Sequence, residues 1–163
     1  MKIRLIFAFV LMSTWGFAQF PKADYYLIKN QKSGLYMAMV GDSTRKGGKI
    51  VQMENDGNDN LLWSISEVNK GFYKIENKHN YNDLGVYRGS SRLGASLVHW
   101  DDQRGRSEFL WDIVPYKGSY KIKNVKSNRV MGVYQGREIE GVSIVQSDDR
   151  SQKAVLWELI PVN

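Results

Sequence analysis

Trp100 stands in the densest grouping of chemically useful side chains in the sequence. It follows Val98 and His99, and Asp101, Asp102, Gln103 and Arg104 come directly after it. Tyr87 and Arg88 fall on the preceding strand-like stretch of the same segment. An aromatic ring, a carboxylate pair, an amide and a cation together suit a sugar. A flat ring lies under the C–H face of a pyranose and supplies apolar area at little entropic cost, while planar polar groups at its edge fix orientation. Trp is also often an ordinary, partly buried surface residue, and the residues alone leave that reading equally open.

Two further segments offer weaker versions. Tyr134 and Gln135 precede Gln146, Asp148 and Asp149, which read more simply as a polar loop beside a half-buried Tyr. Gln52, Asn55, Asp56 and Asn60 lie near Met39 and Met53, without a stacking ring. Residues 54–60 alternate acidic and amide oxygens, as a hard cation would require. An EF-hand counted from Glu54 would need Gly at Asp59 and Glu at Ile65, so that match fails. A solvated turn, with Asx side chains bonding their own backbone, is the simpler reading.

Other chemistries find little support. His79 and His99 are the only histidines and Cys is absent, which excludes disulfides, thiolate metal ligands and a Cys nucleophile. No Ser sits in a Gly-x-Ser-x-Gly elbow. Asp101-Asp102 and Asp148-Asp149 are adjacent pairs, and neighbours on an extended chain point to opposite sides. Neither pair is by itself the facing acid and base of a glycosidase. We therefore expect no catalysis and no cofactor.

Three copies of one unit must position these residues. The phrase Tyr26-Leu27-Ile28-Lys29-Asn30 returns as Tyr73-Lys74-Ile75-Glu76-Asn77 and Tyr120-Lys121-Ile122-Lys123-Asn124, spaced 73 − 26 = 47 and 120 − 73 = 47. Each unit closes on Leu-Trp: Leu62-Trp63, Leu110-Trp111 and Leu156-Trp157. Between them recur an apolar run, a glycine (Gly41, Gly89, Gly136) and a third stretch: Ile50-Val51-Gln52, Leu97-Val98-His99, Ile144-Val145-Gln146. Tyr-x-Ile alternates with period 2, and the apolar runs are short and bounded by Gly, Asn, Ser and Asp. Both features predict β-strands, four per unit. Three units without disulfides must share one core. Trp63, Trp111 and Trp157 are predicted to lie in it.

Residues 1–19 have the layout of a signal peptide. Lys2 and Arg4 precede the apolar run Leu5 to Met12, and small residues follow up to Ala18. The run is too short for a bilayer, which needs about 20 apolar residues. The expectation is cleavage near residues 18–19 and an exported, extracellular or periplasmic protein without a membrane span. What remains is 163 − 19 = 144 = 3 × 48 residues, with the net charge of +6 falling to +4. Its cations are scattered among acids and form no basic stripe, which argues against nucleic acid.

The Tyr-x-Ile-x-Asn opening, the turns Ser33-Gly34 and Ser127-Asn128, the Gly-bounded strand and the closing Trp give the chain from about Tyr25 to Val162 its likeness. It resembles ricin-B-type lectins. The resemblance implies an all-β β-trefoil, with six strands in a short barrel and six in hairpins capping one end, and carbohydrate binding with up to one shallow pocket per repeat. It also implies pocket residues that this chain has changed. The Gln of the family's Gln-x-Trp is Leu61, Phe109 or Val155. The sugar-binding Asp matches Ala38, Gly85 and Gly132. The stacking aromatic matches Met53, Trp100 and Ser147, and the Asn before the Gln matches Asn60, Glu108 and Ala154.

The combined expectation is a leader over residues 1–19 and one β-trefoil over residues 20–163, with repeats of about 25–70, 71–117 and 118–163. The product is a monomeric, exported lectin-like module with degenerate sugar pockets. Its candidate glycan contacts are Trp100, Asp101, Asp102, Tyr87, His99, Tyr134, Gln146, Asp148 and Asn60. The alternative is a β-trefoil interaction or inhibitor module whose loops 101–106 and 148–150 bind a protein partner.

Overall fold

The computed structural model describes residues 20–40, 46–101, 103, 105–150 and 152–163. The leader, Gly41, Asp102 and Arg104 lie outside the described residues. The elements are twelve strands: β1 Tyr25–Asn30, β2 Tyr36–Met39, β3 Gly48–Met53, β4 Leu62–Asn69, β5 Phe72–Asn77, β6 Asp83–Val86, β7 Leu97–Trp100, β8 Trp111–Tyr116, β9 Ser119–Asn124, β10 Val130–Val133, β11 Ile144–Ser147 and β12 Trp157–Val162. No helix among the described residues is long and apolar enough to cross a membrane.

Their pairing closes a ring. β1 pairs with β4, β4 with β5, β5 with β8, β8 with β9, β9 with β12, and β12 with β1, all antiparallel. Closure leaves this six-stranded barrel without a free edge. The other six strands form the hairpins β2–β3, β6–β7 and β10–β11, which meet one another through β3–β7 and single bridges at Val51–Ser143 and Ser96–Val145. This is the β-trefoil. The long β8–β9 hairpin turns on Lys117-Gly118, both at positive φ (48° and 80°), the twist that a two-residue hairpin needs.

The recurring residues have equivalent jobs. Tyr26, Ile28 and Asn30 alternate inward along β1. Trp63, Trp111 and Trp157 are fully buried, and each indole Nε1–H donates across its unit to the second strand: to Met37 O (2.9 Å), Leu84 O (2.9 Å) and Met131 O (3.0 Å). The opening Asn stitches each unit to the one before. Asn77 Nδ2 donates to Asn60 O, Asn124 Nδ2 to Glu108 O and Asn30 Nδ2 to Ala154 O, each at 3.0 Å. Their Oδ1 atoms accept backbone amides of the next turn. Phe20 closes the open barrel mouth, with its ring edge-on to Tyr26, Tyr73 and Tyr120 at 5.7, 5.3 and 6.3 Å.

A third set of stitches runs through the hairpin layer. Gln52 Nε2 donates to Arg137 O and Ile139 O, and its Oε1 accepts from Ser33 Oγ. Gln146 Nε2 donates to Ser90 O and Arg92 O, and its Oε1 accepts from Ser127 Oγ. The equivalent residue of the second unit is His99.

Candidate functional site

The β6–β7 hairpin carries Trp100 at the end of β7, paired with Asp83 in register. Beside it opens a cleft of about 270 Å³. Val98 and Phe109 form its floor, Trp100 and Tyr87 its walls, and Arg88, Gln103 and Arg106 its rim. Phe109 takes the space of the missing second-strand side chain: a Cβ on Gly85 would stand 2.2 Å from its Cδ1. Gly85 and Phe109 are thus a sterically matched pair, which gives the cleft an apolar floor. An edge of the Trp100 ring packs on Gly47, where a Cβ would approach Cζ3 to 2.9 Å.

The rim is basic. The Arg88 guanidinium lies 5.2 Å from the Tyr87 ring centroid and makes no ion pair among the described residues. Arg106 Nη1 donates to Gln103 Oε1 and its Nη2 to Glu108 Oε1, both at 2.6 Å. Glu108 is buried, and burial pushes its carboxyl upward; its own backbone amide and Arg106 outweigh this and hold it below the usual range.

On the far side of Gln103 and Phe109 lies a second cleft of about 600 Å³, containing Lys74, Glu76 and Asp83. Lys74 Nζ bridges Glu76 Oε2 (2.8 Å) and Asp83 Oδ1 (3.0 Å), and Asp83 Oδ2 accepts the Gln103 amide at 2.9 Å. Burial raises the Asp83 carboxyl despite these partners. Burial pulls the Lys74 ammonium down, but its two carboxylates push it higher still. A lysine clamped between two carboxylates leaves neither of them free as an acid or base.

The third unit repeats the first cleft on the same backbone, at about 340 Å³. Gln135 stands where Arg88 does, and both residues adopt the left-handed φ of 53°. Ser147 replaces Trp100 and Val155 replaces Phe109 on its lining. Asp148 lines it, but its carboxylate is held by Arg129 (2.7 Å) and Arg150 (3.4 Å). Tyr134 is exposed and is not part of the lining.

Among the described residues, the structure therefore brings together Trp100 and Tyr87 and separates the other expected contacts. His99 and Gln146 are fully buried and cannot reach a ligand. Each is the strand neighbour of a cleft residue, so the pleat turns it to the opposite face. Asn82 Nδ2 donates to His99 Nδ1 at 2.9 Å, which leaves the ring proton on a buried Nε2 without a partner among the described residues. Burial alone holds this imidazole below its ordinary value. The Asp101 carboxylate pairs with Lys46 and stands off the cleft. Asn60 turns inward: its Nδ2 donates to Met39 O at 3.1 Å and its Oδ1 is buried. Arg106 and the floor role of Phe109 were missed. The available signal was Gly85, a residue without a side chain, in the same unit as Phe109.

No curated protein matches the chain. Solved structures of like fold include ThreeFoil, a designed threefold-symmetric protein (TM-score 0.83, 24% identity, 85% of this chain and 99% of that one). They also include 1,3Gal43A, an exo-β-1,3-galactanase from Clostridium thermocellum (TM-score 0.82, 24% identity, 88% of this chain and 31% of that one). A third is the Polyporus squamosus lectin bound to Neu5Acα2-6Galβ1-4GlcNAc (TM-score 0.72, 17% identity, 86% of this chain and 50% of that one). At these identities the likeness concerns the fold. The model of the family described as ricin-type beta-trefoil lectin domain-like matches residues 13–100. That is more than half of the sequence, and with the closed barrel and its three hairpins it places the chain in the ricin-type beta-trefoil lectin domain-like family.

Proposed function

We propose that this chain is an exported, non-catalytic carbohydrate-binding module whose working site is the cleft of the second unit. The observation that carries the reading is the half-buried Trp100, which walls a cleft together with Tyr87 over an apolar floor. A ring fixed on one edge by Gly47 offers its remaining surface to a pyranose without losing rotamer freedom on binding. The lectin family and the sugar-related names of the structural neighbours support the ligand class. The leader supports export, and the clamp of Lys74 on Glu76 and Asp83 supports binding without chemistry.

The pockets are unequal. The third unit lacks a ring at Ser147, and the first has Met53 in that place. One shallow site binds weakly, because avidity needs several competent sites. A panel of neutral and acidic glycans titrated into the protein is expected to give millimolar binding that disappears in Trp100→Ala. Absence of binding to every glycan at millimolar sugar overturns the reading.

A further inference from the structure

We propose that the second-unit cleft selects a pyranose carrying a carboxylate or sulfate over its neutral counterpart. This rests on the sugar-binding reading above and names the class of sugar. A neutral sugar presents hydroxyl protons and needs acceptors to receive them. Among the described residues, the lining of this cleft contains no carboxylate. Its side-chain amide oxygen, Gln103 Oε1, already accepts from Arg106. The nearby Glu108 Oε1 is taken by Arg106 at 2.6 Å, with Lys126 Nζ at 4.0 Å.

What remains on offer is donors. Arg88 forms no ion pair among the described residues and lies on the rim with its planar fork beside the Tyr87 ring. The Lys126 ammonium sits against the rim glycine, 2.6 Å from where a Gly89 Cβ would be. Among the described residues, Arg88, Arg106 and Lys126 against Glu108 leave 3 − 1 = 2 positive charges around the opening. A donor-rich, acceptor-poor, cationic cleft is complementary to a ligand that brings its own anionic acceptors, and a guanidinium can hold a carboxylate or a sulfate through two parallel hydrogen bonds. The third-unit cleft is the internal contrast, since Gln135 replaces Arg88 and Asp148 lines the wall.

The test compares methyl glucoside, methyl glucuronide and methyl glucoside 6-sulfate by calorimetric titration of the protein at low and high salt. The expected result is binding of at least one anionic pyranoside about tenfold tighter than the neutral one, as a charge-assisted hydrogen bond implies, with the ratio shrinking in high salt. Which anion shows the gain separates carboxylate from sulfate recognition. Arg88→Gln is expected to bring the ratio to about one. Gln is the residue the third unit carries at the same left-handed position, so this variant keeps the backbone. Lys22→Gln removes the same charge at the barrel mouth and is expected to keep the ratio, which separates a local contact from net charge. Equal affinities for all three sugars, with binding still dependent on Trp100, overturn the anion selectivity and leave the sugar-binding reading intact. An unchanged ratio in Arg88→Gln also overturns the proposal. Binding of none of the three, while another glycan of the panel binds in a Trp100-dependent way, overturns the anion selectivity alone; absence of binding to the whole panel overturns both readings.

Discussion

In the second unit the cleft wall is Trp100, the floor Phe109 and the rim Arg88; in the third unit the same positions hold Ser147, Val155 and Gln135. Beneath both clefts the scaffold is the same. Trp111 and Trp157 bond Leu84 O and Met131 O across equivalent distances, and Arg88 and Gln135 share one unusual backbone angle. The comparison teaches that the two layers of this molecule answer to different constraints. A buried hydrogen-bonded indole cannot change without leaving a cavity and an orphaned carbonyl. A rim side chain away from such contacts can change at little cost to the fold.

The scaffold half of the comparison breaks most visibly at the tryptophans. Trp111→Ala and Trp157→Ala are each expected to cost about 3–5 kcal/mol in denaturant unfolding, by nearly equal amounts. A large inequality between them would mean that the two units do not carry the core alike. Next come the floors. Gly85→Asp places a Cβ 2.2 Å from the Phe109 ring, whereas Gly132→Asp meets Ser147 Oγ at 2.7 Å and Val155 Cγ1 at 2.9 Å. Both overpack, by about 1–3 kcal/mol or more, with the second unit the worse. Phe109→Gln in the Gly85→Asp background is expected to recover stability, since the smaller, flexible Gln frees the space that a Cβ at position 85 needs. Unfolding midpoints of the single and double variants decide this.

On the binding side, Tyr134→Ala is expected to leave sugar affinity unchanged while Tyr87→Ala weakens it several-fold, because only Tyr87 lines its cleft. A calorimetric titration in which the two variants behave alike would erase the difference between the units. The smallest effect concerns His99, which stands where the third unit has Gln146. Its imidazole is buried neutral and titrates below its ordinary 6.5, so the unfolded chain takes up the proton first. The stability this histidine contributes is therefore complete above about pH 6.5 and declines as the pH falls below it. His99→Gln is expected to remove that part of the pH dependence, measured as the unfolding midpoint between neutral and mildly acidic pH.

The architecture was legible because its determinants repeat. Tyr26, Asn30 and Trp63 recur with their hydrogen-bonding roles, and a role repeated three times in a shared core leaves a period in the sequence. Trp100 was legible for the opposite reason, as the one aromatic at a position where the other units lack one. Proximity along the chain misled for its neighbours. His99 and Gln146 sit next to cleft residues, and the period-2 pleat that identifies their strands also turns them inward. The Asp101 carboxylate goes to Lys46, and the Phe109 ring fills the space above Gly85; both contacts join segments distant in sequence and exist only once the hairpins have packed.

Sugar binding in the second-unit cleft is tested most directly by a titration followed in ¹H–¹⁵N spectra through the indole Nε1–H signals. The Trp100 signal is expected to move in proportion to bound sugar, while the signals of Trp63, Trp111 and Trp157 stay fixed. A Trp100 signal that does not move when binding is saturated, with shifts confined to the third unit around Ser147, would contradict it.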